Sequence, residues 1–312
     1  MKIANKNKEE IIKLIEKAKV ELGSYTTIAK KCKVNTATIT HNMLKLENWS
    51  AVSDEMWVKV GMALGYRFSG EWTTVQTTNL ILMKQVFEMA QKYGEMKCIS
   101  HPAGGGKSKA CEFYRANDDQ GAVFYIECEK WSHREFMIRL AGSLGIVTET
   151  KNLYSLADSI IVFFKNKMAV SQPLLIIDQA DKLPNRSLAF LIQFYNKLKY
   201  ECGCVLVGTQ HLADKIKKGV RKNAESFDEL DDRLGRNYVN LLGYTKQDVS
   251  LICQANGVSD QSVIEQIWEE LQPEQVPYGT KYIKVVKSGR RLETVIMNRR
   301  KRELSNQSVN SI

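Results

Sequence analysis

Three consecutive glycines followed by lysine and serine join a short apolar segment to a helix-forming one. The glycine-rich loop, residues 101–108, reads HPAGGGKS. It fits the pattern GxxxxGK[ST] except that His101 replaces the opening glycine. Such a loop follows a strand and precedes a helix, whose N-terminal N–H groups converge on phosphate oxygens. The strand is predicted at 97–100 and the helix from near Lys107. This feature predicts an α/β fold built on a parallel sheet.

A second segment places an acidic residue at the end of an apolar run, as a Walker B segment does. Residues 174–177 are apolar, and Asp178 follows them. A carboxylate in that position can hold the Mg²⁺ of a bound nucleotide. Gln179 stands where hydrolysing enzymes usually carry glutamate, and its amide is a poor general base. We therefore expect ATP and Mg²⁺ to bind and hydrolysis to be slow. Asp181 is a less favoured substitute base.

The residues around these two segments have separate expected roles. Ser108 and Asp178 would ligate Mg²⁺, and Thr209, after an apolar segment, can sense the outer phosphate. Arg233, with Arg236 as second choice, would reach a neighbouring subunit's nucleotide. The alternative is that these arginines pair at the surface with nearby aspartates. The residues expected to bind the nucleotide are Ala103, Gly104, Gly105, Gly106, Lys107, Ser108 and Lys109.

Charge and composition narrow the class of protein. The 312 residues, 44% hydrophobic and 26% charged, suit a globular protein of two or three domains. A net charge of +10 favours a polyanion partner, and basic clusters occur at 215–222 and 284–302. No apolar run approaches the roughly 18 residues that span a bilayer, so we expect a cytoplasmic protein without a membrane partner. The seven cysteines have no metal-binding spacing, which favours buried thiols.

The N-terminal segment has the pattern of a helix-turn-helix. Helices are predicted at 9–22, 24–32 and 36–43, with a turn at 33–35. The residues expected to pack the last two helices are Ile28, Ala29, Val34 and Ile39. The outward residues expected to contact DNA phosphates and base edges are Thr36, Thr38 and His41. The alternative is a small helical domain that contacts proteins.

Changes of pattern along the chain divide it into four parts. Strands alternate with helices in the central part, which predicts a parallel sheet with helices on both faces. The predicted strands are 97–100, 122–128, 174–177, 204–207 and 238–242. The predicted parts are a helix-turn-helix domain at 1–68, a linker at 69–78, an α/β core at 79–244, and a small C-terminal helical lid with a tail at 245–312.

These segments together resemble an AAA+ ATPase. More narrowly, they are similar to the transposition B proteins of Mu-type phages and related mobile-element ATPases. The resemblance is carried by GGGKS at 104–108, IIDQADKL at 176–183, VLVGTQH at 205–211 and DRLGR at 232–236. The helix-turn-helix ahead of the core fits the same family.

The resemblance implies a regulator of DNA transposition. Such proteins form ATP-dependent helical homo-oligomers on double-stranded DNA with little sequence preference. They select target DNA for a DDE-type transposase and stimulate it, in the nucleoid of a bacterial or phage-infected cell. DNA inside the filament would contact basic residues of core loops, and the candidates are Lys130, Arg134, Lys217 and Lys218. A second sensor arginine is expected in the lid, either Arg291 or within the competing segment 279–284.

Two other functions fit parts of the pattern. A helicase loader has a similar nucleotide core, but it would need a helicase-binding N-terminal segment. A helix-turn-helix transcription regulator with a nucleotide-controlled core would select one operator over random DNA. The chain shows no nuclease or DDE pattern, so we do not expect it to cut DNA.

Overall fold

The chain folds into two compact units. The computed structural model describes residues 5–64, 66, 72–147, 152–258 and 260–309. One unit comprises Met1–Thr74 with Cys253–Ser259, and the other comprises Val75–Ile252 with Asp260–Ile312. Residues 69–71, where the predicted linker begins, lie outside the described residues. Within the described part, no helix is both long and apolar enough to cross a membrane.

The first unit is helical and contains the predicted helix-turn-helix segment. Its helices are α1 (Asn5–Leu22), α2 (Tyr25–Cys32), a π-helical turn (Thr38–Met43), a 3-10 helix (Leu46–Ala51) and α3 (Asp54–Ala63). The Ser24 hydroxyl caps α2 by accepting a hydrogen bond from the Thr27 N–H, 3.2 Å away. Ile28, Ala29 and Ile39 are buried in one cluster with Val34 packed against it, as predicted.

A five-stranded parallel sheet forms the centre of the second unit and confirms the predicted α/β fold. Its strands are β1 (Met96–Ser100), β2 (Val123–Glu127), β3 (Leu174–Asp178), β4 (Gly203–Gly208) and β5 (Tyr238–Val239). Their order is β2-β3-β4-β1-β5. The four longer strands lie within two residues of the predicted bounds at each end, whereas β5 ends three residues early.

Helices cover the sheet on both faces. They are α4 (Thr78–Tyr93), α5 (Lys107–Ala116), α6 (His133–Ser143), α7 (Leu153–Met168), α8 (Asn185–Leu198), α9 (Gln210–Arg221) and α10 (Phe227–Arg233). Alternate residues of each strand enter separate hydrophobic clusters: Cys98 packs in the cluster of α6 to α10, and Ile99 in that of α4 and α5. This double burial explains why the strands are almost wholly apolar.

The C-terminal part contains a small sheet, where the sequence predicted helices alone. Its elements are β6 (Tyr244–Thr245), α11 (Lys246–Ala255), α12 (Gln261–Glu270), β7 (Glu274–Tyr278), β8 (Lys281–Val286) and α13 (Gly289–Val309). The three strands are antiparallel in the order β6-β8-β7. A two-residue turn joins β7 to β8, and Pro277 is tolerated because β7 is an edge strand.

Candidate nucleotide-binding site

The carboxyl ends of four neighbouring strands bring the predicted site residues to one edge of the sheet. Glu127 at the end of β2 pairs with Asp178 at the end of β3. Ser100 at the end of β1 pairs with Gly208 at the end of β4. The glycine-rich loop, the Asp178-Gln179 segment and Thr209 therefore follow strands that end at the same level. Ligands of open α/β sheets bind at this edge.

The glycine-rich loop has a backbone that only small residues can form. Gly104 and Gly106 have positive φ values of 89° and 83°. A side chain at Gly106 would place its Cβ 2.8 Å from the Tyr244 hydroxyl oxygen. Helix α5 begins at Lys107, as predicted, so its first N–H groups lie next to the loop. This arrangement can receive phosphate oxygens.

The ammonium group of Lys107 lies within the loop. Its Nζ donates hydrogen bonds to the carbonyl oxygens of His101, at 2.7 Å, and Pro102, at 2.9 Å. Burial lowers the pKa of Lys107, while the carboxylates of Asp178 and Asp181 act in the opposite direction. The cation therefore lies close to the acidic side of the site, where it can neutralise phosphate charge.

The structure accounts for His101 at the opening position of the loop. The His101 Nδ1 lies 2.7 Å from Oδ1 of Asn240, which follows β5. The backbone N–H of His101 donates to the Gly208 carbonyl oxygen at 3.3 Å. The ring packs on the loop, since a Cβ at Gly105 would lie 2.5 Å from the His101 Cδ2 atom. Its Nε2 is buried without a hydrogen-bond partner, and burial lowers the pKa of His101.

Asn79 links the glycine-rich loop to the segment after β5 by hydrogen bonds, a role that the sequence did not predict. Its Nδ2 donates to the Gly105 carbonyl oxygen at 3.1 Å. Its Oδ1 accepts from the N–H groups of Leu242, at 3.0 Å, and Gly243, at 3.2 Å. Asn79 is 2% exposed and lies in the first turn of α4. Its only sequence signal was an asparagine just after the segment interpreted as a linker.

Asp178 is buried and held by two donors. Its Oδ1 accepts from the Gln179 N–H at 2.8 Å, and its Oδ2 accepts from the Tyr125 hydroxyl at 3.3 Å. Carboxylate and hydroxyl oxygens are the ligands that Mg²⁺ prefers, and Mg²⁺ commonly needs few protein ligands when phosphates supply others. Ser108 is in the first turn of α5 and Asp178 ends β3, so this pair fits Mg²⁺ bound with a triphosphate.

Gln179 is turned toward the neighbouring strand. Its backbone is left-handed, with φ 55° and ψ 35°. Its Nε2 donates a hydrogen bond to Oε1 of Glu127. The sequence analysis missed Glu127 as a site residue. The available signal was its place at the end of a predicted strand that, in a parallel sheet, adjoins the Asp178 strand.

Asp181 orients Thr209. One carboxylate oxygen accepts from the Thr209 N–H at 3.0 Å, and the other accepts from its hydroxyl at 3.1 Å. Both oxygens of Asp181 are therefore engaged with the residue expected to sense the outer phosphate. Asp181 therefore holds Thr209 in this arrangement, and its role as a substitute base stays a prediction.

The arginines selected from the sequence bond to their own chain. Arg233 donates to Asn196 at 2.9 Å, Asp232 at 3.1 Å and Glu229 at 3.4 Å. Arg236 donates to Asp228 at 3.3 Å. These pairs match the surface-pairing alternative in part. A role for Arg233 in a neighbouring subunit stays a prediction, because it would require exchange of these exposed bonds.

The start of α13 touches the glycine-rich loop. The Gly289 N–H donates to the Gly104 carbonyl oxygen at 2.8 Å, and the positive charge of Arg290 contributes to lowering the pKa of Lys107. The Arg291 side chain instead donates to the Glu270 carbonyl oxygen at 2.9 Å. The competing segment 279–284 forms the turn and strand β8. The charge of Arg290 therefore acts on Lys107 in this arrangement, and Arg291 as the second sensor stays a prediction.

The residues predicted to contact DNA lie at several surfaces. Lys130, Arg134, Lys217 and Lys218 are exposed. The Lys217 Nζ lies 4.9 Å from the centre of the Tyr238 ring. Lys218 lines a cleft of about 450 Å³ whose other lining side chains include His211, Lys215 and Lys222.

In the helix-turn-helix segment, the three predicted contacts differ in exposure. His41 is exposed, whereas Thr36 and Thr38 are half-buried. The Thr36 carbonyl oxygen accepts from the Thr40 hydroxyl at 3.1 Å. Among the three, His41 is therefore the side chain most accessible to a ligand.

The cysteines are structural. All seven are buried, and none of them forms a disulfide. Burial raises the pKa of Cys128 and of Cys204 to about 12, so both are thiols at neutral pH. The described residues contain no cluster of three or more histidine, cysteine or acidic side chains able to hold a metal ion.

Comparison with known proteins finds a family match within the second unit. Residues 94–216 match the family model described as an AAA domain. Among solved structures, Cdc6p from Pyrobaculum aerophilum is similar over 65% of this chain and 57% of its own, with 17% identity and a TM-score of 0.47. Orc1 from Aeropyrum pernix, in complex with DNA, is similar over 72% of this chain and 60% of its own, with 13% identity and a TM-score of 0.48. The chain thus spans less than two thirds of either structure. No curated protein matches it.

Proposed function

We propose that this AAA-domain protein binds ATP with Mg²⁺ and, in that state, assembles on double-stranded DNA. The observation that carries the proposal is the meeting of the glycine-rich loop, buried Asp178 and Thr209 at one sheet edge. Lys107 would neutralise the outer phosphates, and Ser108 with Asp178 would hold Mg²⁺. Bound Mg²⁺ would offset charge on the phosphates during hydrolysis.

We infer that hydrolysis is slow. Gln179 occupies the position after Asp178, and its amide cannot accept a proton as a carboxylate can. Substituting Gln179→Glu should therefore increase the rate of phosphate release while leaving ATP affinity nearly unchanged. Equal rates in the two proteins would contradict this inference.

DNA is the polyanion that the charge distribution favours. The chain has a net charge of +10, and exposed lysines occur on α9 and after β2. Contacts to phosphates give affinity without sequence preference. Together with the resemblance to transposition B proteins, this supports a cytoplasmic target-DNA selector that forms helical homo-oligomers and stimulates a DDE-type transposase.

A transcription regulator is the second candidate. The observation that favours it is the helical first unit, in which exposed His41 follows a turn between two packed helices. A regulator of this kind would bind one operator far more tightly than random DNA. A filament-forming protein would make little distinction between the two.

The decisive experiment is fluorescence anisotropy with a labelled duplex of random sequence. We expect cooperative binding with ATP and Mg²⁺, and much weaker binding with ADP or without nucleotide. The matched control is Lys107→Gln, which should bind DNA weakly even with ATP. Binding that ignores nucleotide would contradict the proposal, and strong selection of one sequence would favour the regulator.

A further inference from the structure

We propose that Glu127, at the end of β2, is the general base of ATP hydrolysis, and that Gln179 positions it. The inference rests on the proposed ATPase function and concerns the same site. It assigns the slow hydrolysis of the wild-type protein to a carboxylate on the strand next to the one that normally carries the base.

The contact between the two side chains is the first observation. Glu127 and Asp178 are register partners in β2 and β3, so Glu127 adjoins the residue after Asp178. The left-handed backbone of Gln179 accompanies a hydrogen bond from its Nε2 to Oε1 of Glu127. Non-glycine residues in this conformation concentrate at functional sites. A carboxylate on β2 thus lies beside the position at which a Walker B segment ends in glutamate.

The other carboxylates at this edge are already engaged. Asp178 is 1% exposed and accepts from the Gln179 N–H and the Tyr125 hydroxyl. Asp181 accepts from Thr209 with both of its oxygens. Glu127 is exposed, and its Oε1 accepts from the Gln179 amide, while its Oε2 accepts no hydrogen bond within the described part of the chain. Glu127 therefore keeps capacity to accept a proton from water.

Glu127 also lies within electrostatic range of the helix that begins at the glycine-rich loop. Its negative charge contributes to raising the pKa of Lys109, in the first turn of α5, although Glu112 is the main cause. Glu127 lies at the carboxyl end of β2, and the glycine-rich loop follows the carboxyl end of β1 at the same edge of the sheet. A base must come within about 3 Å of the proton that it accepts, directly or through one water.

The proposed step is hydrolysis of the bond between the β- and γ-phosphates of ATP. The water oxygen forms a bond to the γ-phosphorus while the bond from that phosphorus to the β–γ bridging oxygen breaks. The bridging oxygen leaves on ADP with the electron pair. One proton of the water passes to the Glu127 carboxylate, which later releases it to solvent. The amide of Gln179 holds the carboxylate in place and takes no proton.

The test compares single-turnover phosphate release in four proteins. Glu127→Gln should reduce the wild-type rate by about a hundredfold, as loss of a general base does. The exchange variant, Glu127→Gln with Gln179→Glu, should release phosphate at least as fast as the wild type because it returns one carboxylate to the pair. Glu129→Gln removes an exposed carboxylate two residues away and should leave the rate unchanged.

Binding measurements separate catalysis from a structural role. Glu127→Gln should bind a fluorescent ATP within about twofold of the wild type. It should lose affinity for ADP with aluminium fluoride, a transition-state analogue, and the exchange variant should regain it. Thermal unfolding of the nucleotide-free proteins would verify that each one is folded.

Specific outcomes would overturn the inference. They are an unchanged rate in Glu127→Gln, a wild-type protein that releases no phosphate, or a folded exchange variant as inactive as Glu127→Gln. ATP-dependent binding to random duplex would stand in each case, so failure of the assigned base is distinguishable from failure of the proposed function.

Discussion

Individual side chains around the glycine-rich loop show how far a sequence motif determines a site. The motif predicted Lys107 at the start of a helix and Asp178 at the end of a buried strand, and both lie there. It could not predict Asn79 or Glu127, because each reaches the site only through contacts with segments distant in sequence. His101 violated the motif, and its bond to Asn240 explains why the fold accommodates it.

His101 should make the protein less stable in mild acid. Burial lowers the pKa of His101. In mild acid, the His101 imidazole therefore stays neutral in the folded protein, whereas in the unfolded chain, with a pKa of about 6.5, it binds a proton. The free energy of unfolding therefore falls as the pH decreases from about 6.5 toward the lower folded value. His101→Gln should lose less stability than the wild type between pH 7.5 and 5.5, as measured by urea unfolding.

His133 provides the comparison for that experiment. Burial also lowers the pKa of His133, so His133→Gln should reduce the acid sensitivity in the same direction. The two substitutions together should reduce it further. Parallel stability losses in the wild type and in His101→Gln would contradict the expected role of His101.

Lys107→Gln should weaken ATP binding by at least about tenfold. The substitution removes the cation inside the loop, and charge-assisted hydrogen bonds to phosphate are stronger than neutral ones. Lys84→Gln is the comparison, because the Lys84 Nζ pairs with Glu88 at 3.5 Å on the exposed side of α4, away from the loop residues. Equilibrium titration with fluorescent ATP measures both. Equal losses would mean that the loop cation has no special role.

At the scale of elements, periodicity predicted the central sheet better than the C-terminal part. Continuous apolar runs identified β1 to β4, since both faces of the sheet are buried. The hairpin of β7 and β8 was missed because most of its side chains are polar and exposed, and β7 contains Pro277. Only its end near Val285 and Val286 is buried. An edge hairpin with mostly polar, exposed side chains gives no strong hydrophobic periodicity in the sequence.

The packing of α9 against α10 predicts a substitution that destabilises the fold. A Cβ at Gly219 would lie 2.3 Å from Cγ of Phe227, which is 5% exposed. Gly219→Ala should therefore lower the free energy of unfolding by about 1–3 kcal/mol through overpacking. Urea unfolding would measure the change.

Gly142 in α6 is the matched control for that substitution. No atom lies within 4 Å of a Cβ built there, so Gly142→Ala should stabilise the protein by up to about 1 kcal/mol through helix propensity. A Gly219→Ala protein as stable as Gly142→Ala would show that α10 moves aside without cost.

For the whole molecule, charge is the property that the sequence gives most directly. The net charge of +10 indicates a polyanion partner, and the structure distributes candidate contacts over loops and helices of the second unit. Under the proposed function, the surfaces that meet DNA would depend on how copies of the chain assemble. That arrangement follows from surface shape, which periodicity and motifs do not encode.

Salt dependence should identify the lysines that contact phosphates. Replacing Lys217 and Lys218 by glutamine should reduce the slope of log affinity against log salt by about two, because each lost phosphate contact contributes roughly 0.9. Lys92 and Lys165 are exposed lysines on α4 and α7, and replacing both with glutamine is the control. An unchanged slope in the Lys217 and Lys218 variant would place the DNA elsewhere.

The strand order determines when, during synthesis of the chain, the nucleotide site can form. β1 precedes the glycine-rich loop, yet its partners β4 and β5 come far later: Met96 pairs with Cys204, and Cys98 pairs with Tyr238. A ribosome releases the loop long before it releases the strands that hold it. The backbone groups of β1 have no sheet partners until then. We expect nascent chains to bind nucleotide only after β5 has emerged. Only chains whose central sheet is complete should then bind ATP.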